Sequence, residues 1–516
     1  MFSAQSLVNA PLGHIGVKRL PLAVKVLFLA SCWLWLFVPI AAAQGDPALT
    51  QVVVKLNPLS GATITDINNS YGTTTLETVL SSAGIYLLRT PPGVSAPTIV
   101  RRMAGDLRLL YAEPNFIGQA PEGIGRHTWV WGGGDAAPVN GQYAVRMLGL
   151  PAAQRINRGA GAIVAVIDRG VQLNHPALAG RWTTTRYDFM DDDSDPSDVA
   201  NGLDEDNDGI VDDAYGHGTH VAGLVALVAP DAKIMPLRAL DTEARGDIFR
   251  LAEAIVYATD QGADVINLSL GTARKSELLA DVSRRATLQG VVVVAAAGNL
   301  ATTARQYPAG SQCVLAVSAI KSNRTKASFA NYGSWVDFAA PGVSIYSTLP
   351  TSGYGWWSGT SMAAPLVAGQ AALLHSLRPT LNVRQIAEQI AATARSLEAI
   401  DPTYGDKLGF GLPAVDVSLQ QLQAGNLLSV GGVISSSCVD PVAAAAAEPV
   451  VEDDMGESTD VEAEAPDTID EQALLDAIVP GDWADEMAAT LLSEPAAPVL
   501  DQRLFLPLVT QGTTTD

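Results

Sequence analysis

The chain has 516 residues, of which 48% are hydrophobic and 17% are charged, and its formal net charge is −22. This length allows two or three domains with a large buried core, and the hydrophobic fraction excludes a wholly disordered chain. The negative charge argues against nucleic acids and anionic membrane surfaces as partners, because both are bound by basic protein surfaces.

The N-terminus has the layout of a signal peptide. Three basic residues precede an uncharged, mostly apolar run at 26–43, which ends in small residues. This pattern predicts cleavage after Ala43, so that residues 1–43 are a signal peptide and the protein is secreted. A run of eighteen residues is also just long enough to cross a bilayer, so the alternative is a retained segment that tethers the protein to a membrane or cell surface.

The segment 46–126 is predicted to be a small α+β domain. Strand patterns lie at 51–56, 84–89 and 108–115, and a helical pattern lies between 96 and 106. These elements are enough for one small core beside a larger domain.

Strand and helix patterns alternate between residues 148 and 422. Strands are predicted at 162–167, 233–237, 265–270, 291–297 and 314–318, and helices after His217, at 248–259, at 276–287 and after Ser361. Near-continuous apolar strands that alternate with helices predict an α/β fold with a parallel sheet flanked by helices.

The acidic charge is concentrated at the C-terminal end. Residues 424–516 contain 19 acidic residues and one basic residue, Arg503, whereas residues 26–423 carry only −7. The segment 425–516 is therefore predicted to be a mostly disordered, acidic low-complexity tail.

Two cysteines remain after signal cleavage. Export permits a disulfide between Cys313 and Cys438. Cys313 lies in an apolar run, so a buried free thiol is an equally good interpretation, and the sequence leaves both open.

Three segments place a reactive side chain where a strand meets a loop or helix. The strand at 162–167 leads into Asp168, at the sheet edge where open α/β folds hold their sites. His217 lies between two glycines at the start of a helix of small residues. Ser361 begins another buried helix, whose free N–H groups favour negative charge. Taken singly, these residues are more often turn or capping residues than catalytic ones.

Together, Asp, His and Ser in this chain order on a parallel α/β scaffold resemble the triad of subtilisin-family serine proteases. The segments around the three residues match that family, as does a fourth segment at 295–299, and the likeness covers about residues 140–422. The resemblance implies the subtilisin fold and a secreted endopeptidase that hydrolyses peptide bonds through an acyl-enzyme intermediate.

The resemblance also assigns roles to single residues. Ser361 would be the nucleophile, His217 its general base and later general acid, and Asp168 the group that fixes the imidazole tautomer. Asn299 and the Ser361 backbone N–H would bind the oxyanion.

Substrate-binding residues follow from the same likeness. Ser269, Leu270 and Gly271 match the strand that pairs with substrate backbone, and Gly246 belongs to the opposite strand. Gln306 would approach the base of the specificity pocket, where the family often has glycine, which indicates a shallower or more polar pocket.

By resemblance, the domain at 46–126 is an inhibitory propeptide and residues 127–424 are the catalytic domain. The propeptide would occupy the cleft until a cut between Gln119 and Val139 releases it. The protein is thus expected to be an autoprocessed zymogen whose partners are polypeptide substrates and its own propeptide.

An acidic insertion at 204–213 separates Asp168 from His217. Acids at its first, third and fifth positions and glycine at the sixth are typical of an EF-hand loop, although no Glu stands at the twelfth. The prediction is a structural Ca²⁺ ion, and the alternative is a solvated acidic loop. The predicted ligands are Asp204, Asp206, Asp208, Asp212 and Asp213.

A second function remains open, that of a catalytically silent, calcium-bound surface protein that binds peptides. The intact set of Asp168, His217, Asn299 and Ser361 argues against it, because such proteins generally lose one of these residues.

Overall fold

The computed structural model describes residues 47–122, 131–133, 136–204, 211–212 and 214–440. The predicted signal peptide and most of the predicted acidic tail lie outside these residues. Within the described ranges, the helices are too short or too polar to cross a membrane.

The N-terminal module is an antiparallel sheet covered by helices. Its strands pair in the order β2-β3-β1-β4. Val52 and Val54 of β1 face a small core shared with the helices, whereas Val53 faces the larger body. Because side chains alternate along a strand, one strand serves both contacts. The elements are α1 (Pro47–Thr50), β1 (Gln51–Leu56), α2 (Ile64–Tyr71), β2 (Thr74–Glu77), β3 (Ile85–Arg89), α3 (Ala96–Met103) and β4 (Leu109–Pro114).

The larger body contains the remaining elements. Its strands are β5 (Ile117–Gln119), β6 (Trp131–Gly133), β7 (Ile163–Asp168), β8 (Tyr187–Asp188), β9 (Lys233–Arg238), β10 (Arg245–Asp247), β11 (Val265–Leu268), β12 (Val292–Ala296), β13 (Leu315–Ile320), β14 (Phe338–Pro341), β15 (Ile345–Leu349) and β16 (Gly353–Trp357). Its helices are α4 (Ala137–Gly141), α5 (Tyr143–Met147), α6 (Leu150–Ile156), α7 (His217–Val228), α8 (Ile248–Asp260), α9 (Glu277–Leu288), α10 (Thr360–Leu377), α11 (Val383–Thr393) and α12 (Val415–Gln423).

The main sheet has seven parallel strands in the order β14-β13-β12-β11-β7-β9-β8. Both faces are covered by helices: Val164 and Val166 of β7 pack in the core that includes α7 and α10, and Ala165 and Ile167 pack in the core that includes α8 and α9. Burial on both faces explains why these strands read as unbroken apolar runs. The predicted fold class is confirmed.

Cys313 and Cys438 form a disulfide, with the two Cα atoms 5.5 Å apart. Val433 and Ile434, close before Cys438, are buried in the core that includes α7 and α10. The chain up to residue 440 is thus fixed to the larger body, and of the two interpretations of these cysteines the structure has the bridged one.

Candidate active site

The polar residues predicted from the motifs meet at the carboxyl edge of the main sheet. Asp168 ends β7, Ser269 follows β11, and Asn299 follows β12. His217 is the first residue of α7, and Ser361 lies in the first turn of α10. Parallel strands bring their carboxyl ends to one edge, so the topology itself gathers these side chains.

Glycines around His217 allow the close approach of α7 to β7. A Cβ atom on Gly218 would lie 2.1 Å from the carbonyl oxygen of Gly170 and 3.0 Å from Cβ of Asp168. Gly216 caps the helix with a φ of +93°, a conformation that glycine adopts at little cost. The Gly-His-Gly pattern is therefore a packing requirement that places the imidazole against Asp168.

Asp168 and His217 form a buried hydrogen-bonded pair. Nδ1 of His217 lies 2.8 Å from Oδ1 and 3.0 Å from Oδ2 of Asp168. Burial alone lowers the pKa of His217, but the charges and hydrogen bonds of Asp168 and Glu122 outweigh it and raise the pKa to about 10. The imidazole is thus held in its protonated form.

Glu122 is a residue of this site that the sequence interpretation missed. Its side chain is buried, and Ser361 donates its Oγ hydrogen to Oε2 at 2.6 Å. The same Oε2 lies 3.2 Å from Nε2 of His217, and Asn299 Nδ2 donates to Oε1 at 3.1 Å. No motif singles out a glutamate after an Ala-Pro pair, so only the chain path could identify it.

Asn299 is oriented by the helix that carries the serine. Its Oδ1 accepts from the backbone N–H of Thr360 at 3.0 Å and from Oγ1 of Thr360 at 2.9 Å. With the oxygen occupied, the amide nitrogen is directed at the carboxylate of Glu122. Asn299 therefore acts as a fixed donor at the serine.

The chain that leads to Glu122 lies between two backbone segments. Strand β5 pairs antiparallel with β10, with Gly118 opposite Gly246. On the other side, Gln119 and Gly271 exchange two backbone hydrogen bonds of 2.9 Å. Residues 117–119 thus add a strand between the segments predicted to hold substrate, Gly246 on one side and Gly271 on the other.

Side chains of β4 and of the loop after it anchor the N-terminal module. The carboxylate of Glu113 accepts from the backbone N–H groups of Glu277 and Leu278, at the start of α9. Asn115 Oδ1 accepts from the N–H of Phe249 at the start of α8. Burial raises the pKa of Glu113 to about 7 against these stabilising hydrogen bonds.

Gln306 is packed beside the cleft. A Cβ on Gly271 would lie 2.6 Å from its Nε2, and one on Gly298 would lie 1.8 Å from its Oε1. The side chain is buried, and Nε2 has no hydrogen-bond partner among the described residues. Gln306 therefore fills the gap between the segments that follow β11 and β12.

The predicted calcium ligands are only partly described. Asp212 is buried, and its carboxylate accepts from the N–H groups of Asn201 and Gly202 at 2.9 and 2.7 Å. Asp206, Asp208 and Asp213 lie outside the described residues, whereas Asp204 is described. Within the described ranges, there is no group of three or more His, Cys, Asp or Glu side chains that could hold a metal ion.

Comparisons with known proteins agree with this geometry. Residues 159–411 match the Subtilase family, and residues 40–115 match the fervidolysin N-terminal prodomain. A solved structure of fervidolysin from Fervidobacterium pennivorans, described as a keratinolytic enzyme related to subtilisin, is similar with a TM-score of 0.59 and 25% identity. That alignment covers 73% of this chain and 62% of the other, so this chain spans less than two thirds of fervidolysin.

Two curated relatives are more similar in sequence. Thermitase of Thermoactinomyces vulgaris is 44% identical over 261 residues, which are 48% of this chain and 88% of thermitase. A thermophilic serine proteinase of Bacillus sp. (strain AK1) is 39% identical over 305 residues, 57% of this chain and 70% of the relative. With the gathered Asp, His, Asn and Ser side chains and the matching prodomain, the chain belongs to the subtilase family of serine peptidases.

Proposed function

We propose that the protein is a secreted serine endopeptidase made as a latent, autoprocessed precursor. Its parts are a signal peptide (1–43), an inhibitory propeptide (46–126), a catalytic domain (127–424) and an acidic tail (425–516). The observation that supports this best is the carboxylate of Glu122, which Ser361, His217 and Asn299 hold together. Such a set of donors suits the negative oxygen of a tetrahedral intermediate.

In the proposed catalytic cycle, each of these side chains has one role. Ser361 attacks the peptide carbonyl while His217 takes its proton, and Asp168 stabilises the resulting imidazolium. Asn299 and the Ser361 backbone N–H bind the oxyanion, and His217 then protonates the leaving amine. Water repeats the steps on the acyl-enzyme. A donor such as Asn299 typically contributes about 10²–10³-fold to the rate.

Glu122 accounts for latency in the precursor. While its carboxylate is bound, the Ser361 proton and the Asn299 amide are occupied, and His217 is already protonated and cannot act as a base. Removal of Glu122 frees all three groups. We infer that a cut between Gln119 and Val139, on the C-terminal side of Glu122, lets the module leave with this residue and activates the enzyme.

Polypeptide substrates are proposed to bind as β5 does. A peptide in the place of residues 117–119 would pair with Gly246 on one side and with the segment Ser269, Leu270 and Gly271 on the other. Such pairing recognises backbone and tolerates many side chains, which suits an endopeptidase.

A structural calcium ion is proposed for the loop at 204–213. Asp212, with its carboxylate bound to two backbone N–H groups, already closes the loop from 201 to 212 and retains lone pairs for a cation. The proposed donors are carboxylates, which suit a hard cation. They are Asp204, Asp206, Asp208, Asp212 and Asp213.

Labelling with a serine-directed phosphonate tests the proposed function. The processed protein should form a covalent adduct at Ser361, and Ser361→Ala should not. If the unaltered, processed protein takes no label, the protease assignment is wrong and the peptide-binding alternative gains support. N-terminal sequencing of protein from the culture medium tests secretion: a start after Ala43 supports it, and a membrane-bound chain with 26–43 intact contradicts it.

A further inference from the structure

Two charged side chains are buried directly behind the Asp168–His217 pair. Arg169 follows Asp168 in the chain, and its side chain is 1% exposed, while the side chain of Asp198 is fully buried. Nε of Arg169 lies 3.0 Å from Oδ1 of Asp198. The N–H is not aligned for a hydrogen bond, so the contact is primarily ionic. The catalytic steps above use neither residue.

Asp198 connects the two elements that carry the catalytic pair. Its Oδ2 accepts from the backbone N–H of Gly216 at 2.7 Å, and Gly216 directly precedes His217. Its own N–H donates to the carbonyl of Val171, three residues after Asp168, at 3.1 Å. One residue is therefore bound both to the end of β7 and to the start of α7.

The backbone around this contact leaves no room for a side chain at position 170. A Cβ on Gly170 would lie 2.8 Å from the carbonyl oxygen of Pro196 and 3.0 Å from the nitrogen of Asp198. Arg169 is held by its own neighbours, since Nη2 donates to the carbonyl of Val199 at 3.2 Å and the guanidinium lies 5.6 Å from the Tyr215 ring centre. Arg169 and Asp198 are thus both held by contacts outside their own ion pair.

The charges of this pair also act on the catalytic groups. Burial raises the pKa of Asp198 to about 6, against the opposing effects of Arg169 and the Gly216 N–H; the Asp168 charge adds to the rise and His217 opposes it. Tyr215, beside the Arg169 guanidinium, is a further titratable group here, and burial raises its pKa. A buried Asp198 without Arg169 would add a further uncompensated negative charge near His217.

We propose that Arg169 and Asp198 are positioning residues of the catalytic pair, a role that rests on the proposed protease function. Asp198 fixes the Gly216 backbone, and with it His217, relative to Asp168. Arg169 offsets the charge of Asp198, so that the basicity of the imidazole depends on Asp168 and, in the uncut chain, on Glu122. Neither side chain touches the substrate.

The test follows the titration of His217 by NMR in the full chain carrying Ser361→Ala, where autoprocessing cannot occur. Removing the negative charge with Asp198→Asn should lower the titration midpoint by about half to one pH unit, and Arg169→Gln should raise it by a similar amount. The double variant should return it to the parent value. If the parent, the two single variants and the double variant all share one midpoint, the ion pair is merely structural and the proposal is overturned.

Kinetics on processed enzyme provide the second arm, with two variants that bury no unpaired charge. Arg169→Gln/Asp198→Asn keeps an acceptor for Gly216, and Arg169→Gln/Asp198→Ala does not. We expect kcat to be about tenfold lower in the variant with Asp198→Ala than in the variant with Asp198→Asn, at unchanged KM. Equal kcat values in the two variants overturn the positioning role. The NMR arm needs no activity, so an inactive parent enzyme would contradict the protease assignment alone.

Discussion

Oε2 of Glu122 lies 2.6 Å from Oγ of Ser361 and 3.2 Å from Nε2 of His217. One oxygen atom of the N-terminal segment therefore contacts both the proposed nucleophile and its proposed base. The second oxygen accepts a hydrogen bond from Asn299, the proposed side-chain donor of the oxyanion site. In the proposed precursor, inhibition would therefore act at the reacting atoms themselves as well as along the cleft.

Replacing Glu122 should weaken latency without removing the N-terminal module. In Glu122→Gln the charge-assisted hydrogen bonds are lost, so phosphonate labelling of the uncut precursor should be roughly 10-fold faster or more. The rate of labelling at Ser361, measured by intact mass, checks this. Glu77→Gln, an exposed change in the same module, is the matched control. Equal rates in the parent, Glu122→Gln and the control would contradict the role of Glu122.

Docking of the N-terminal module should depend on pH through Glu113. Its pKa is raised from 4.5 to about 7 in the docked state, so the docked form binds the proton more tightly. The contribution of Glu113 to the docking free energy is fully present below about pH 4.5 and is lost as the pH rises to about 7. This loss corresponds to an affinity of the module for the enzyme that is about 10²-fold lower.

Inhibition of processed enzyme by the severed module, measured from pH 4.5 to 8, checks this dependence. Glu113→Gln cannot titrate, so its inhibition constant should vary much less over the same range. Asp106→Asn, which changes a carboxylate that is paired with Arg108 inside the module, is the control. A parent whose inhibition constant is flat across this range would contradict the prediction.

Gln306 is predicted to restrict the residue that precedes the scissile bond. Its side chain fills the space between Gly271 and Gly298, so Gln306→Gly should open that space. We expect kcat/KM for substrates with Phe or Tyr at that position to rise about tenfold, relative to substrates with Ala. A peptide library resolves the change, and Gln289→Gly, on the outer surface, is the control. An unchanged preference would place the specificity pocket elsewhere.

Calcium is predicted to stabilise the loop at 204–213. Chelation should lower the Tm of the parent protein, and a variant with Asp204→Asn and Asp208→Asn should lose this response because two of the proposed ligands lose their charge. Asp195→Asn, in a neighbouring acidic stretch, should respond as the parent does. Melting curves with and without chelator decide, and an unchanged parent Tm would favour the solvated loop.

The meeting of Asp168, His217 and Ser361 at one site was predictable because each residue lies where a local pattern changes. Asp168 ends an apolar strand, and His217 and Ser361 begin helices of small residues, so sequence alone marks the ends of elements that parallel pairing gathers. The capping of α8 and α9 by the N-terminal module was not predictable. Asn115 and Glu113 contact the starts of these helices, which are more than 130 residues away in the sequence.

Glu122 and Asp198 escaped prediction for a different physical reason. Both are acids whose roles depend on burial at a distant site, and neither has a neighbouring pattern that distinguishes it from solvated carboxylates. Asp198 in particular follows a stretch rich in aspartate, and only the fold shows that it meets Arg169 and Gly216.

The Cys313–Cys438 disulfide would hold the chain together after a cleavage between the two cysteines. Ser361 lies within the loop that the bridge closes, between two cysteines that are 125 positions apart in the sequence. A single break anywhere in that loop, including one made by another copy of the enzyme, leaves both pieces covalently joined. Damaged molecules would keep their mass on a non-reducing gel and separate only after reduction, so reducing conditions are needed to count the intact enzyme.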